Sequence, residues 1–518
     1  MSTVRVIYHI ARADFLERVR RYSFLIMLGL IVFLGYQTGI GNLTLELGQY
    51  RGEYNSAWVG AMMALIASFF LGWFGFYLVK GSVAHDRETG VGQIMATTPL
   101  TRPLYTFGKW ISNFMVLMAM VTVLALAGLV IQFLQGESTG VEFGAFILPF
   151  IFIAMPVVAM VAALAVLFET IPFLAGGFGN IVYFFGFVMI FPFIDRMIKS
   201  NPAFEPLGMG LLMQDMQLAV WKVYPDYSGS FSLGAGGEVF AGTFTWAGIH
   251  WTVDLILARL SFFLIAVGLT LLGALFFDRF DPSRRKPKRT KSDASLNKPE
   301  PVPVSKPLPT VHLTPLSASS NTFSFLRLLV FELKLLLKGQ RWWWYAVAVG
   351  LIVASFANTV ENVRAFVLPF TWIWPILIWS GLGNREIQHN AHQMVFSSAA
   401  PLWRQLPATW LAGFLVTALT GSGVALKLIG TGDSIGLLAW ISAAFFIPSF
   451  ALACGVWSSS SKVFEIIYIS LWYIGPLNKV DVVDYLGAHS NGNVLFFLPF
   501  SIALIVAAFI GRARQLQN

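Results

Sequence analysis

Long apolar runs alternate with short polar islands along the chain. Runs at 22–40, 56–79, 107–133, 145–168, 176–194 and 254–277 form a first series. A second series follows a polar stretch, at 342–359, 366–383, 407–427, 434–455, 463–477 and 494–511. Each run approaches the roughly 20 apolar residues that cross a bilayer as a helix. The pattern predicts an all-α polytopic membrane protein: two six-span helical bundles, about 12 transmembrane helices, related as a pseudo-twofold repeat. Two more segments, 4–20 (VRVIYHIARADFLERVR) and 325–341 (FLRLLVFELKLLLKGQR), set Arg and Lys among Val, Ile, Phe and Leu at helical spacing. Each precedes the first span of its series and reads as an amphipathic helix lying on the membrane surface.

The stretch from Arg279 to Ser320 divides the chain. It holds RRKPKRTK at 284–291 and PEPVPVSKPLP at 299–309, and it lacks the apolar residues to pack. An extended, solvated linker is expected there. The expected domains are therefore 1–278 and 321–518, each a surface helix plus six spans, joined by the basic linker 279–320. Composition agrees: 56% of residues are hydrophobic and 12% charged, against about 25% charged in soluble domains. The longest polar stretches are too short to hide a soluble catalytic domain.

The net charge of +9 invites a nucleic-acid reading, but its distribution explains it otherwise. Of the 35 Lys and Arg residues, 27 fall on the side of the termini, linker and polar islands, and 8 on the other. Cytoplasmic loops carry such an excess, and anionic lipid on that face attracts it. Both islands and both termini are thus expected in the cytoplasm of a cell with the chain in its plasma (bacterial inner) membrane, with the lipid bilayer and no nucleic acid as partner. The single Cys454 lies in an apolar run, so no disulfide framework exists. The first apolar run begins after Arg20 and Arg21 and lacks a signal-peptide cleavage site. Trp342–Trp344 reads as an interfacial aromatic belt.

The two islands carry the candidate chemistry. Asp86–Arg102 reads DRETGVGQIMATTPLTR, and Asn384–Arg404 reads NREIQHNAHQMVFSSAAPLWR. They share Arg-Glu at the start, Gln-(Ile/Met) in the middle and Pro-Leu-x-Arg at the end. A loop held between two spans, with a short helix of small and apolar residues, suits docking in a groove of a partner; force on it would move both spans. Other chemistry is missing. No GxxxxGK[ST], HExxH or CxxC occurs. His389 and His392 lack further ligands for a metal. Ionisable residues within the spans mark function by default, yet they are few. Glu169 and Glu465 are expected to reach water at span ends, and Asp254 and Arg259 to pair with each other. Their scarcity argues against ion-coupled transport. The segment 195–253, Gly-rich and aromatic, is expected to form short helices dipping into the outer leaflet; its counterpart 478–493 is short, so the two halves are not functionally equal.

The first loop resembles that of the type-two ABC exporter permeases. The resemblance is carried by Asp86, Arg87, Glu88, Gly90, Gln93, Ile94, Met95, Thr98, Pro99, Leu100, Thr101 and Arg102, with Gly108 and Lys109 opening the next span. It implies a non-catalytic permease subunit that forms the translocation path of an ATP-driven exporter. The loop would be the coupling helix, gripping a separate cytoplasmic ATP-binding cassette subunit. That subunit, in two copies, would bind ATP and Mg, leaving no cofactor in this chain. Arg87 and Glu88 would hold the loop by charge-assisted contacts, and Pro99 would end its helix. The second loop keeps Arg385, Glu386, Gln393, Met394, Pro401, Leu402 and Arg404; it has no glycine matching Gly90, and Ala408–Thr409 stands for the Gly-Lys. The resemblance therefore implies two permease copies in tandem, the second a degenerate half. Two alternatives stand beside this reading: an ion-coupled secondary transporter, and a non-transporting membrane scaffold or sensor. Export as a direction comes from the family alone. Phe-rich spans fit an amphipathic cargo and ordinary lipid-facing packing alike.

Overall fold

Apolar runs become helices in both halves of the computed structural model, which describes residues 3–135, 137, 140–229, 231–235, 240–280, 323–489 and 494–517. Apart from Arg279 and Phe280, the linker expected at 279–320 lies outside the described residues. The chain divides into two compact units, Met1–Arg285 and Lys286–Asn518.

In the first unit, the amphipathic helix Thr3–Val19 turns sharply into the helix Tyr22–Gly39. Four apolar segments follow: Ser56–Glu88, Arg102–Gln135, Phe143–Thr170 and Gly177–Ile194; Val253–Phe276 closes the unit. The 34 residues of Arg102–Gln135 extend about 51 Å at 1.5 Å per residue, well beyond a hydrocarbon core of about 30 Å. Its first turns therefore have room outside the apolar slab. The 56–88 segment is the core of the unit, with 78% of its apolar window buried against 28% for 253–276.

In the second unit, Phe325–Leu337 is the amphipathic helix, capped by the Ser324 side chain. Ser434–Ser458 and Phe496–Gln517 are long enough to span. Among the described residues, seven helices in all can cross a membrane, or nine if two bent pairs count as single spans. The other runs expected to span are shorter or interrupted. Trp342–Ala357 has 16 residues. The 366–383 run is broken by a π-turn at Val363–Val367 and by Pro375, and 463–477 closes in a π-turn containing Pro476. The 407–427 run bends by 59° between Pro401–Thr420 and Ser422–Thr431. Proline removes a ladder donor and crowds the preceding turn, which apolar content alone does not register.

A small sheet sits at the end of the first unit opposite the 86–102 loop, as the 56–88 segment joins the two. Strands β1 (Leu43–Leu47) and β2 (Tyr50–Gly52) form a hairpin. β3 (Phe231–Ala235) runs antiparallel to β1, and β4 (Gly242–Phe244) parallel to β2. Arg51 bridges to Glu137 at 2.5 Å, and Tyr50 stacks on Tyr224 at 4.2 Å. Short helices expected in the 195–253 segment are present at Phe191–Ser200, Pro202–Phe204 and Met209–Val223.

Arg259 does not pair with Asp254, which is exposed. It is fully buried and donates to four backbone carbonyls instead: Nε to Phe152 at 2.8 Å, Nη1 to Ala203 at 3.3 Å and Glu205 at 2.6 Å, and Nη2 to Pro206 at 3.3 Å. Glu205 in turn accepts from the Leu207 and Gly210 amides. One planar fork thus fixes the turn 203–206 to the start of the 253–276 helix, the geometry for which arginine is suited. Replacing it with Met leaves those carbonyls buried without donors. Arg259→Met is expected to cost about 3–5 kcal/mol, read as a lower melting temperature in detergent; an unchanged melt would refute the pinning role.

Candidate functional site

The 86–102 loop is built from two short helices hinged on a glycine. Ser82–Glu88 ends at Thr89, Gly90 takes a left-handed turn at φ +77°, and Val91–Ala96 follows. Glycine adopts that conformation without a Cβ penalty. The second helix ends at Ala96, so Pro99 does not terminate it. Thr97 and Thr98 do: their amides close on Ile94 and Met95, and their hydroxyls donate to the same carbonyls at 2.8 and 2.7 Å. Short hydroxyl side chains offer the backbone this alternative to a further turn. Pro99 lies exposed beyond the helix, in the link to Arg102.

The base of the loop is locked by buried charge. Lys109 Nζ lies 2.8 Å from Asp86 Oδ2 and 2.8 Å from Asp14 Oδ1. Asp14 pairs with Arg18 at 3.0 Å on the amphipathic helix. Arg18 donates to Asn113 Oδ1 at 2.6 Å and to the Val79 carbonyl, and the Tyr105 hydroxyl donates to Asp86 at 2.7 Å. Two carboxylates thus face two cations, all four buried. Burial pushes the Asp14 carboxyl up, but Arg18 and Lys109 more than offset it and hold it below the usual carboxylate range. The network ties the loop to the amphipathic helix and to the 102–135 helix.

A second clamp works on the backbone. Glu169, expected at water, is buried and accepts from the amides of Gly81, Ser82, Val83 and Ala84. A carboxylate there satisfies the orphan donors of the helix 82–88 and complements its dipole. Glu465 is likewise buried rather than solvated.

The outer rim of the loop meets the end of the 253–276 helix. Arg87 Nη2 contacts both Asp278 carboxylate oxygens, at 3.1 and 3.0 Å, and its guanidinium lies 5.9 Å from the Phe280 ring centre. Met95, Ala96 and Leu100 pack on a cluster of Val83, Tyr105, Phe277 and Phe280. Gly92 is buried under Phe280, where an added Cβ would come within 2.6 Å of the ring. Arg279 donates to the Thr98 carbonyl at 2.7 Å. Arg102, half-buried, begins its helix beside this cluster. The remaining residues face outward: Glu88, Gln93 and Pro99 are exposed, Val91 is 40% exposed and Ile94 is 69% exposed. Glu88 makes no ion pair among the described residues, so Asp86 and Arg87, not Glu88, are the charges that hold the loop.

Residues 8–219 match the family model described as ABC-2 family transporter protein. The first unit is an ABC-2 type permease domain. Its loop and both clamps, save for Asp278 and Phe280, fall inside the matched range. The matched residues, 212 of the chain's 518, support a multi-pass membrane permease of an ABC transporter, a transport component. No curated protein and no solved structure matches the chain significantly.

The permease's second loop is organised differently. Arg385–Gln388 and His392–Phe396 are its short helices. Arg385 lies 3.9 Å from Glu332 of the 325–337 helix. Glu386 accepts from Gln405 at 2.7 Å and sits 3.4 Å from Arg512, whose guanidinium stacks over Phe396. Arg404 lies over the Phe323 ring at 4.4 Å. Pro401 opens the helix 401–420 behind Ala400 at φ +54°, with Leu402 half-buried. Gln393 and Met394 face outward, Met394 at 75% exposure. Thr409, in the place of Lys109, bonds the Gln405 carbonyl of its own helix, and among the described residues the cation between this loop and its amphipathic helix is Arg385. Burial pushes the Glu332 carboxyl up, with Arg385 opposing it.

Several residues that matter in the permease loop escape its motif: Asp14, Arg18, Asn113, Glu169, Asp278 and Phe280. Three of them had a signal. Asp14 and Arg18 are spaced i, i+4 on one helix face, and a glutamate in an apolar run such as Glu169 must find donors.

Proposed function

We propose that the permease is the membrane subunit of an ATP-driven exporter, and that its 86–102 loop docks on a separate ATP-binding cassette subunit in the cytoplasm. The observation that carries this reading is the pairing of an exposed apolar tip with a rigid base. Val91 and Ile94 project from a six-residue helix whose root is fixed by buried ion pairs and by the Glu169 clamp. An apolar anchor on a pre-ordered support is how a small contact gains affinity, since little ordering remains to be done on binding. ATP and Mg would be held by the partner, and this chain would transmit the resulting motion. The second loop, with Met394 and Trp403 exposed, offers a second docking point and hence a place for a second partner copy. The termini would lie on the cytoplasmic side of the plasma membrane, following the bias of basic residues.

Cross-linking tests the reading directly. With Cys454 replaced by Ala, a cysteine introduced at Ile94 should join the ATP-binding subunit covalently in membranes, and one introduced at the exposed Phe133 should not. Failure of the Ile94 position to cross-link, or its modification by impermeant reagents from outside the cell, would refute the docking role.

A further inference from the structure

We propose that the 253–276 helix is the strut that carries motion from the docking loop to the opposite end of the first unit. Asp278 and Phe280 are positioning residues at one end and Arg259 at the other. The inference rests on the docking role proposed above and adds to it a route and its residues.

The loop has two attachments of different character. The Asp86–Lys109–Asp14–Arg18 network is fully buried and joins the loop to the amphipathic helix and the 102–135 helix. Breaking one partner of such a network costs about 3–5 kcal/mol, so the loop moves with those elements as one piece. The attachment to the 253–276 helix is softer. The Arg87–Asp278 pair is about one-third exposed on both sides, and an exposed pair contributes about 1 kcal/mol at most. Beside it, the Phe280 ring fills the slot left open by Gly92, and Arg279 holds the Thr98 carbonyl. A contact of this kind transmits a push and can re-seat afterwards.

The same helix grips the far end. Arg259 binds the carbonyls of Ala203, Glu205 and Pro206. These lie in the turn between the short helices 191–200 and 209–223, the second of which packs on β4 and leads into β3. Arg259 and Asp278 are 19 positions apart, and the helix runs unbroken from Arg259 to Phe276, about 26 Å at 1.5 Å per residue. Between those two anchors the helix is the least buried of the first unit's spans, 28% against 78% for the 56–88 segment that also joins the two ends. The helix packs along the 143–170 and 102–135 helices but leaves its other face open, so it has fewer sides to disturb when it slides than a core segment, whose close-packed surroundings resist displacement. Helix shifts of about 1–2 Å suffice in known switches.

The test uses the permease with its ATP-binding subunit in proteoliposomes. Cys454 is replaced by Ala, and an environment-sensitive fluorophore is placed on a cysteine introduced at Phe204, which is 51% exposed beside the Arg259 turn. Adding ATP should change its emission. In Asp278→Ala and Phe280→Ala backgrounds the change, normalised to the amount of ATP-binding subunit captured, should fall about fivefold. The exchanged pair Arg87→Asp with Asp278→Arg should restore most of it, as expected if the ion pair itself carries the push. A full signal in both single variants would overturn the strut. A parental complex that captures the partner but gives no ATP-dependent signal at 204 would also overturn the strut while leaving docking intact. Absence of partner capture by the parent would overturn docking itself and the strut with it.

Discussion

Ile94→Glu is expected to abolish ATP-driven transport and to weaken capture of the ATP-binding subunit by at least about 30-fold. That factor corresponds to about 2 kcal/mol, the threshold of an interface hot spot. The side chain is 69% exposed in the permease alone, so the substitution leaves the fold nearly untouched; surface changes away from special features stay within about 0.5 kcal/mol. Placed in a partner's groove, the same carboxylate is desolvated without a counter-charge. The neighbouring Met95 separates the two effects, since it is turned inward onto Val83, Tyr105, Phe277 and Phe280. Met95→Ala should lower the melting temperature and reduce partner capture only in proportion to the folded fraction. Affinity can be followed with purified subunits at fixed salt. Parental affinity in Ile94→Glu would remove the tip from the interface.

Lys109→Met should be the most damaging single change in the loop's support. It removes the cation shared by Asp14 and Asp86, both buried. Leaving a buried charge unpaired costs about 3–5 kcal/mol, on the order of 10 °C in melting temperature for a unit of this size. The rescue is specific. Adding Asp86→Asn to Lys109→Met removes the stranded charge while Asp14 keeps Arg18, so a large part of the loss should return. A double variant no more stable than the single one would show that Lys109 acts through packing alone. The pH dependence follows in sign. Asp14 is held below its ordinary value, so its contribution is present at neutral pH and is lost only as the pH falls through the lowered value, below about 4. Stability attributable to this pair should therefore stay level between about pH 7 and pH 5.

The residues that announced the loop were those with local consequences. The helices expected at 4–20 and 325–341 appear as Thr3–Val19 and Phe325–Leu337 because helical spacing is a local signal. What escaped was pairing over distance. Asp14 meets Lys109 across 95 positions, and Arg87 meets Asp278 across 191; periodicity says nothing about which charges converge. Pro99 was assigned a role that two threonines perform, since residue type alone does not reveal a local hydroxyl competitor. The number of clean spans fell short of the pattern because Pro375 and Pro476 interrupt runs whose hydropathy is continuous. The sheet was illegible because strands of five and three residues carry too little alternation to register.

That sheet sets a timetable for biogenesis. Leu43 pairs with Ala235, so the first hairpin leaves the ribosome 192 positions ahead of the strand it joins. At about 5–20 residues per second of synthesis, the wait is roughly 10–40 s. Throughout that interval the rows of amide and carbonyl groups on the hairpin's two flanks stand open, and an unpaired strand flank is a template for any passing chain. A folding helper acting there would be needed only until residue 244 has emerged, and a nascent chain stalled earlier would be the form most prone to clump.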